Sequence, residues 1–183
     1  VELAENEYYH IYNRGTEKRN IFLEPADFDR FLYLLFGCNN IHPLLNSQVH
    51  YRGRTSIGLL HSEREPLVDI ICFCLMPNHY HLILRQKLEN GISRFLQKLA
   101  TGYTMYFNTK YDRNGVLFQG GFKSIHIDQE GYLIHLTRYI HLNPLEIEIP
   151  EWKERGLSDL ENSYTSVKKY PWSSLQDYLD INR

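Results

Sequence analysis

The sequence predicts one α+β domain, built as an antiparallel sheet with helices packed on one face of it. Two observations support this prediction. Apolar side chains recur at helical spacing in some segments and alternate along shorter ones. These segments follow the order strand, helix, strand, strand, helix, strand, helix. The chain has 183 residues, 43% of them apolar, which is enough for one hydrophobic core.

Each predicted element depends on its apolar pattern and on turn or helix-end signals. In chain order they are a strand over 8–13, a helix over 27–38, a hairpin of strands over 67–75 and 78–85, a helix over 91–111, an extended segment over 116–127 and a helix over 128–143. The last helix begins at Asp128, a good N-cap residue, and ends before Pro144. Residues 39–66 show no period, and so long an irregular segment is typical of a functional insertion. We expect residues 1–150 to form the domain and residues 151–183 to pack on it as a tail.

Charge and cysteine content restrict the class of protein. The net charge of −2 argues against a nucleic-acid binder that uses its whole surface, but the charges are segregated. Seven basic residues stand against two acidic ones over 85–123, whereas eight acidic residues outnumber three basic ones over 128–162. The three cysteines have no framework spacing, no apolar run reaches transmembrane length, and the first residues lack a signal pattern. We therefore expect a cytoplasmic protein with a local basic face and no membrane partner.

Two histidines separated by one residue, His79 and His81, lie on the second strand of the predicted hairpin. Alternate residues of a strand point to the same face, so the two imidazoles stand side by side in apolar surroundings. This placement is costly unless the imidazoles bind something, and a metal ion is the commonest partner. The spacing of Cys72 and Cys74 ahead of the pair leaves a structural zinc site open as an alternative.

The helix over 128–143 supplies what a metal on this histidine pair would need. Tyr139 and Asn143 are four residues apart and are therefore neighbours on one helix face. The amide oxygen of Asn143 suits a hard cation, and Tyr139 stands one turn away as a nucleophile. A divalent metal bound by two imidazoles and an amide polarises a phosphodiester, which the tyrosine then attacks to form a phosphotyrosine. Tyr103 and Tyr106 are rival nucleophiles, but their apolar neighbours place them on a buried helix stripe.

Five short motifs in this order resemble the REP-associated tyrosine transposases, a branch of the single-tyrosine HUH transposases with an IS200-like transposase domain. The motifs are Tyr9-His10-Ile11-Tyr12-Asn13-Arg14-Gly15, Met76-Pro77-Asn78-His79-Tyr80-His81, Gly121-Phe122-Lys123-Ser124, Arg138-Tyr139-Ile140-His141-Leu142-Asn143-Pro144 and Tyr170-Pro171-Trp172-Ser173-Ser174. The resemblance implies the HUH endonuclease architecture, a ferredoxin-like or RRM-like sheet with the histidines on a central strand. It also implies metal-dependent cleavage of single-stranded DNA beside imperfect palindromic hairpins, leaving a 5′-phosphotyrosine and a free 3′-hydroxyl.

The resemblance also assigns roles to individual residues. It places the family's metal ligands on His79, His81 and Asn143, with Mg²⁺ or Mn²⁺ as the ion, and its nucleophile on Tyr139. The candidate DNA contacts are Arg14, for which the resemblance is the only support, and the basic residues Arg94, Lys98, Lys110, Arg113 and Lys123. The expected partner is single-stranded or hairpin DNA of the nucleoid, bound by a monomer or a homodimer. The alternative function is binding of structured nucleic acid on the same scaffold without cleavage.

Overall fold

The chain forms a four-stranded antiparallel sheet that is covered by helices, which confirms the predicted α+β class. A computed structural model describes residues 3–42 and 64–179. The strands are β1 Tyr8–Arg14, β2 Val68–Met76, β3 His79–Gln86 and β4 Lys123–Ile127. They lie in the order β2-β3-β1-β4, so β3 is a central strand. The long helices are α1 Pro25–Gly37, α2 Gly91–Lys110 and α3 Glu130–Leu142.

The larger core lies between the sheet and the helices α1 and α2. Phe31 of α1 and Phe95 of α2 are completely buried and belong to the same cluster as Ile11 of β1 and Leu82 of β3. The apolar stripe of each helix was visible in the sequence as residues spaced by three and four. Burial of these stripes against one face of the sheet is the main source of the fold's stability.

A second, smaller core lies on the opposite face of the sheet, beneath α3. There Leu136 and Ile140 pack with Cys72, Cys74 and Ile83. The prediction that the helices share one face is therefore wrong. The physical reason is that β2 and β3 carry apolar side chains at consecutive positions, so both faces of these strands need to be covered.

The connection before α3 differs from the prediction. The extended segment over 116–127 is confirmed only for its last five residues, which form β4. Gly115 and Gly120 have φ angles of +87° and +71°, so the chain turns at both positions. Between the turns the backbone nitrogen of Gln119 donates to the oxygen of Arg14, and the continuous ladder with β1 forms only over β4. The N-cap of α3 is Gln129 rather than Asp128, and its side chain makes no capping hydrogen bond.

The predicted insertion over 39–66 lies largely outside the described residues, which resume at Arg64. Its two ends are anchored where they leave the domain. The buried side chain of Asn39 accepts from the backbone nitrogen of Val68 and donates to its oxygen. Arg64 donates to carbonyl oxygens at the end of α1 and just beyond it. The insertion therefore leaves and re-enters the fold beside α1 and β2.

Up to residue 179, where the described part of the chain ends, four short helices follow α3: α4 Leu145–Glu148, α5 Trp152–Arg155, α6 Leu160–Lys169 and α7 Leu175–Tyr178. The segment before α7 lies along the outer edge of β2. The backbone nitrogen of Leu75 donates to the oxygen of Trp172 at 2.9 Å, and that of Ser174 donates to the oxygen of Phe73 at 3.0 Å. This segment therefore covers part of an exposed sheet edge. Within the described ranges, no helix is long and apolar enough to span a membrane.

Candidate active site on the α3 face of the sheet

The two histidines of the predicted metal-binding pair project from β3 toward α3. His79 and His81 have ring centroids 5.0 Å apart, with their planes nearly perpendicular. Both belong to the sheet face opposite Leu82, because successive strand residues alternate. The central strand thus presents two imidazoles on the face that carries the smaller core.

The Nδ1 atom of each imidazole is engaged by a neighbouring side chain. Nδ1 of His79 lies 2.6 Å from Oδ1 of Asn78, and Nδ1 of His81 lies 2.8 Å from Nε2 of His10 on β1. The Asn78 oxygen accepts only, so it holds the proton of His79 on Nδ1 and leaves Nε2 with a free lone pair. His81 has the same tautomer when its Nδ1–H donates to His10. Asn78 and His10 therefore orient the pair in the way that partners of metal-bound histidines do.

Burial keeps the three imidazoles uncharged near neutral pH. It lowers the pKa of His10 to about 4 and the pKa of His79 below its ordinary value. The pKa of His81 falls well below the usual range because of burial first, and then because a proton on His81 would be repelled by any proton on its neighbours His79 and His10. A neutral imidazole offers its lone pair to a cation, whereas an imidazolium offers none.

Helix α3 brings the predicted tyrosine and asparagine to the same place. The ring of Tyr139 meets the ring of His81 edge-on, with 6.3 Å between the centroids. Asn143, the C-cap residue of α3, is completely buried. Its Nδ2 donates to the backbone oxygens of Tyr139 at 3.2 Å and Ile140 at 3.3 Å. The amide nitrogen is thereby held on the helix end, and Oδ1 lies 3.5 Å from Nζ of Lys153.

Two residues that the sequence analysis did not select also belong to this site. Nζ of Lys153 on α5 donates to Oη of Tyr139 at 2.8 Å and forms an ion pair with Glu146 on α4. The negative charge of Glu146 also acts on His79 and raises its pKa, against the larger effect of burial. No spacing rule could have found these residues, because two short helices after Pro144 carry them back to the sheet.

The donor set fits a hard or borderline divalent cation only if the amide takes part. Among the described residues, no three His, Cys, Asp or Glu side chains are arranged to hold a metal ion. The zinc alternative is therefore not supported, and burial also raises the pKa of Cys72 to about 12 and keeps its thiol protonated. Two neutral imidazoles are borderline donors that suit a transition-metal dication, and the amide oxygen of Asn143 is a donor of the kind that Mg²⁺ and Mn²⁺ take.

Two of the predicted DNA contacts share the face of the histidines. Arg14 is the β1 partner of His79, and its charge lowers the pKa of that histidine, after the larger effects of burial and of the charge on Lys153. Lys123 opens β4 opposite Tyr12 and, by alternation with the core residue Ile127, points to the α3 side. Both side chains can therefore contact a DNA strand that crosses the α3 face of the sheet.

The other four candidates lie on or just after α2, on the opposite side of the sheet. Lys110 lies 2.5 Å from carboxylate oxygens of both Asp27 and Glu24. Lys98 donates to the backbone oxygens of residues 40–42. These contacts hold α2 to α1 and to the start of the insertion. The remaining two side chains are those of Arg94, which is exposed, and Arg113, which donates to Asn108.

The rival tyrosines are also on α2 and far from the histidines. Tyr103 is completely buried and donates through Oη to the backbone oxygen of Ile21 at 2.6 Å. Tyr106 donates to a carboxylate oxygen of Asp27 at 3.0 Å. Burial raises the pKa of Tyr103 far above its ordinary value, so it is a core residue and not an ionisable nucleophile.

A match between the sequence and a known family defines the class of the protein. Residues 32–143 match the family described as "Transposase IS200 like", and this segment is more than half of the chain. The chain therefore belongs to the IS200-like transposase family. The matched segment contains both histidines and the residues Tyr139 and Asn143. No curated protein matches the chain.

Two solved structures are similar to the chain. A REP-associated tyrosine transposase bound to a REP hairpin is 13% identical, with a TM-score of 0.64 over 98% of this chain and 83% of that chain. A putative transposase from Deinococcus radiodurans is 14% identical, with a TM-score of 0.43 over 73% of this chain and 87% of that one. At such identities only the fold is comparable. The first structure shows that this chain has the fold of a REP-associated tyrosine transposase, which confirms the resemblance.

Proposed function

We propose that the protein is a metal-dependent endonuclease and strand transferase that cuts single-stranded DNA beside imperfect palindromic hairpins. In this proposal Tyr139 is the nucleophile and forms a 5′-phosphotyrosine. The observation that carries the proposal is the position of Tyr139, which lies on α3 edge-on to His81, with the buried amide of Asn143 one turn further along. Family membership adds support, because transposases break and rejoin DNA.

The chemical step uses the hydroxyl of Tyr139. Its oxygen loses a proton to solvent and attacks a phosphodiester phosphorus. A bond between the phenolic oxygen and phosphorus forms, the bond between phosphorus and the 3′ oxygen breaks, and the 3′ oxygen takes up a proton. The bond energy is kept in the phosphotyrosine, so a 3′-hydroxyl can later displace the tyrosine and reseal the strand. This reversibility lets one site perform both cleavage and transfer.

Three side chains are proposed to hold the cation: His79 and His81 through Nε2, and Asn143 through Oδ1. Mg²⁺ or Mn²⁺, when bound, supplies Lewis-acid polarisation of a non-bridging phosphate oxygen. The other roles at the site are assigned to residues of the protein itself. His10 and Asn78 hold the two imidazoles in the required tautomer, and α3 sets Tyr139 beside them.

The proposed partner is hairpin-bearing single-stranded DNA. The similar structure with a REP hairpin supports this choice, because the same fold accommodates such a ligand there. On this chain, Arg14 and Lys123 are the basic residues on the face of the histidines, and we propose that they contact phosphates. The basic side chains on α2 lie across the sheet from the site and have a smaller part in binding at the cleavage point.

The test is covalent capture. Labelled single-stranded DNA with a hairpin is incubated with the protein and Mg²⁺ or Mn²⁺, then denatured and separated by electrophoresis. The wild type is expected to give a denaturant-resistant adduct with the label on the strand that carries the 5′ phosphate. Tyr139→Phe removes the nucleophile and His79→Ala removes a ligand, so neither variant is expected to form it. Tyr132→Phe, on the same helix at an exposed position, serves as the matched control and keeps the adduct.

The outcome separates the two functions that the sequence left open. An adduct that persists in Tyr139→Phe shows that another residue is the nucleophile. If the wild type binds the hairpin but never cuts it with either ion, the protein is a structured-DNA binder, and the catalytic proposal is wrong.

A further inference from the structure

A lysine outside the proposed catalytic set touches the proposed nucleophile. Nζ of Lys153 lies 2.8 Å from Oη of Tyr139 and 4.5 Å from the centre of its ring. The same nitrogen is 3.5 Å from Oδ1 of Asn143. One ammonium group therefore meets both of the α3 residues to which the proposed chemistry assigns a role.

The ammonium is held in place by its neighbours. Lys153 forms an ion pair with Glu146, and its side chain is only 32% exposed. A surface lysine usually samples many rotamers, whereas this one has three polar contacts that define its position.

The path of the chain after α3 places the side chain of Lys153 beside Tyr139. Leu145, at the start of α4, is completely buried and fixes the turn after Pro144. The backbone nitrogen of Trp152 then donates to the oxygen of Ile149, and α5 begins. Lys153 is its second residue and lies over the end of α3. The segment between α3 and Lys153 is short, so the position of Lys153 depends on these backbone contacts.

We propose that Lys153 is a hydrogen-bond donor to the nucleophile, which fixes the Tyr139 oxygen for attack and stabilises the negative charge on it. The inference rests on the proposed function. During cleavage, the charge develops as the phenol gives its proton to solvent and before the new bond to phosphorus is complete. During rejoining, it returns as the bond between phosphorus and the tyrosine oxygen breaks. Charge-assisted hydrogen bonds are among the stronger ones, and Lys153 donates one during both cleavage and rejoining.

The test compares three variants in single-turnover adduct formation on the hairpin substrate. Lys153→Met keeps the length of the side chain but removes the charge, so the rate is expected to fall about 10- to 100-fold. The affinity for the hairpin is expected to remain that of the wild type, because the lysine acts on the tyrosine. Lys153→Arg keeps a cationic donor and recovers most of the rate. Arg155→Met, on the same helix with its ion pair to Glu151 exposed, is the matched control and keeps the wild-type rate.

A second measurement needs neither DNA nor metal. The Cζ resonance of Tyr139 in isotope-labelled protein, assigned by its loss in Tyr139→Phe, reports the hydrogen bond to Oη. It is expected to shift in Lys153→Met and to stay near its wild-type position in Arg155→Met.

Several results would overturn the inference. A rate in Lys153→Met equal to or above that of the wild type removes any stabilising role, and an equal loss in Arg155→Met assigns the effect to α5 as a whole. An unmoved Tyr139 resonance in Lys153→Met shows that the contact is absent in solution. A wild type without any adduct refutes the proposed function itself, and the resonance still tests the contact.

Discussion

Replacing Asp27 with asparagine tests the structural assignment of a charged cluster that joins α1 to α2. The carboxylate is completely buried at the start of α1. It accepts five hydrogen bonds, from Nζ of Lys110 at 2.5 Å, Oη of Tyr111 at 2.7 Å, Oη of Tyr106 at 3.0 Å and the backbone nitrogens of Leu23 at 2.8 Å and Glu24 at 3.2 Å. An amide of the same shape removes the charge and turns one acceptor into a donor that faces other donors.

The expected loss of unfolding free energy in Asp27→Asn follows from the buried surroundings of the carboxylate. Loss of one partner of a buried ion pair costs about 3–5 kcal/mol of unfolding free energy, because the other charge stays desolvated. Glu24 still neutralises part of the charge on Lys110, which places the expected loss near the lower end. For a chain of this size, each kcal/mol lowers Tm by about 2–4 °C, so the total decrease is about 6–12 °C. Asp29→Asn, on the same helix at a half-buried position, is the control and changes stability by less than about 0.5 kcal/mol.

The same carboxylate gives a pH dependence with a definite sign. Burial alone would raise the pKa of Asp27, but the hydrogen bonds from Lys110 and Tyr111 outweigh it, and the pKa lies below its ordinary value. Its contribution is therefore complete above the unfolded value of about 3.9 and is lost as the pH falls through the lower native value. The stability difference between wild type and Asp27→Asn should be constant near neutral pH and shrink in acid.

Urea unfolding followed by circular dichroism at several pH values measures both effects. The structural argument fails if Asp27→Asn is as stable as wild type at pH 7, or if the difference between them grows as the pH falls. The result also bears on Lys110, which its sequence context predicts to contact DNA. A strong destabilisation in Asp27→Asn supports the pairing of this lysine within the fold.

Two further predictions concern the site and the C-terminal segment. His10→Phe keeps a buried ring but leaves Nδ1 of His81 unpaired, so Mn²⁺ affinity of the DNA-free protein should fall about 10- to 100-fold by calorimetry; an unchanged affinity would show that His10 does not orient the ligand. Ser174→Ala removes a hydroxyl that accepts from the Phe73 backbone and bonds to His141, which should cost about 1–3 kcal/mol in urea unfolding; a cost near zero would show that water replaces it.

Local patterns were sufficient for most of the fold. β1, α1, the hairpin of β2 and β3, and α2 lie within a few residues of the predicted bounds, because each carries a strong apolar period and a clear end signal. The weakest prediction was the segment before α3. There Gly120 and its neighbours turn the chain through contacts that no period describes.

The sequence by itself determined that His79 and His81 share a strand face and that Tyr139 and Asn143 share a helix face. Both statements follow from the fixed geometry of one strand and one helix. Only the tertiary structure decided that these two faces meet, because α3 could have covered either side of a sheet that is apolar on both.

The tertiary structure also decided which charges serve the site. Lys110 looks from its sequence context like a DNA contact, yet it pairs with Asp27, 83 residues away, across the packing of α1 against α2. Lys153 stands in an acidic segment that predicts nothing, yet it reaches Tyr139 through two short helices. A side chain's charge is local information, but its partner is set by how distant elements pack, and that packing depends on the whole hydrophobic core at once.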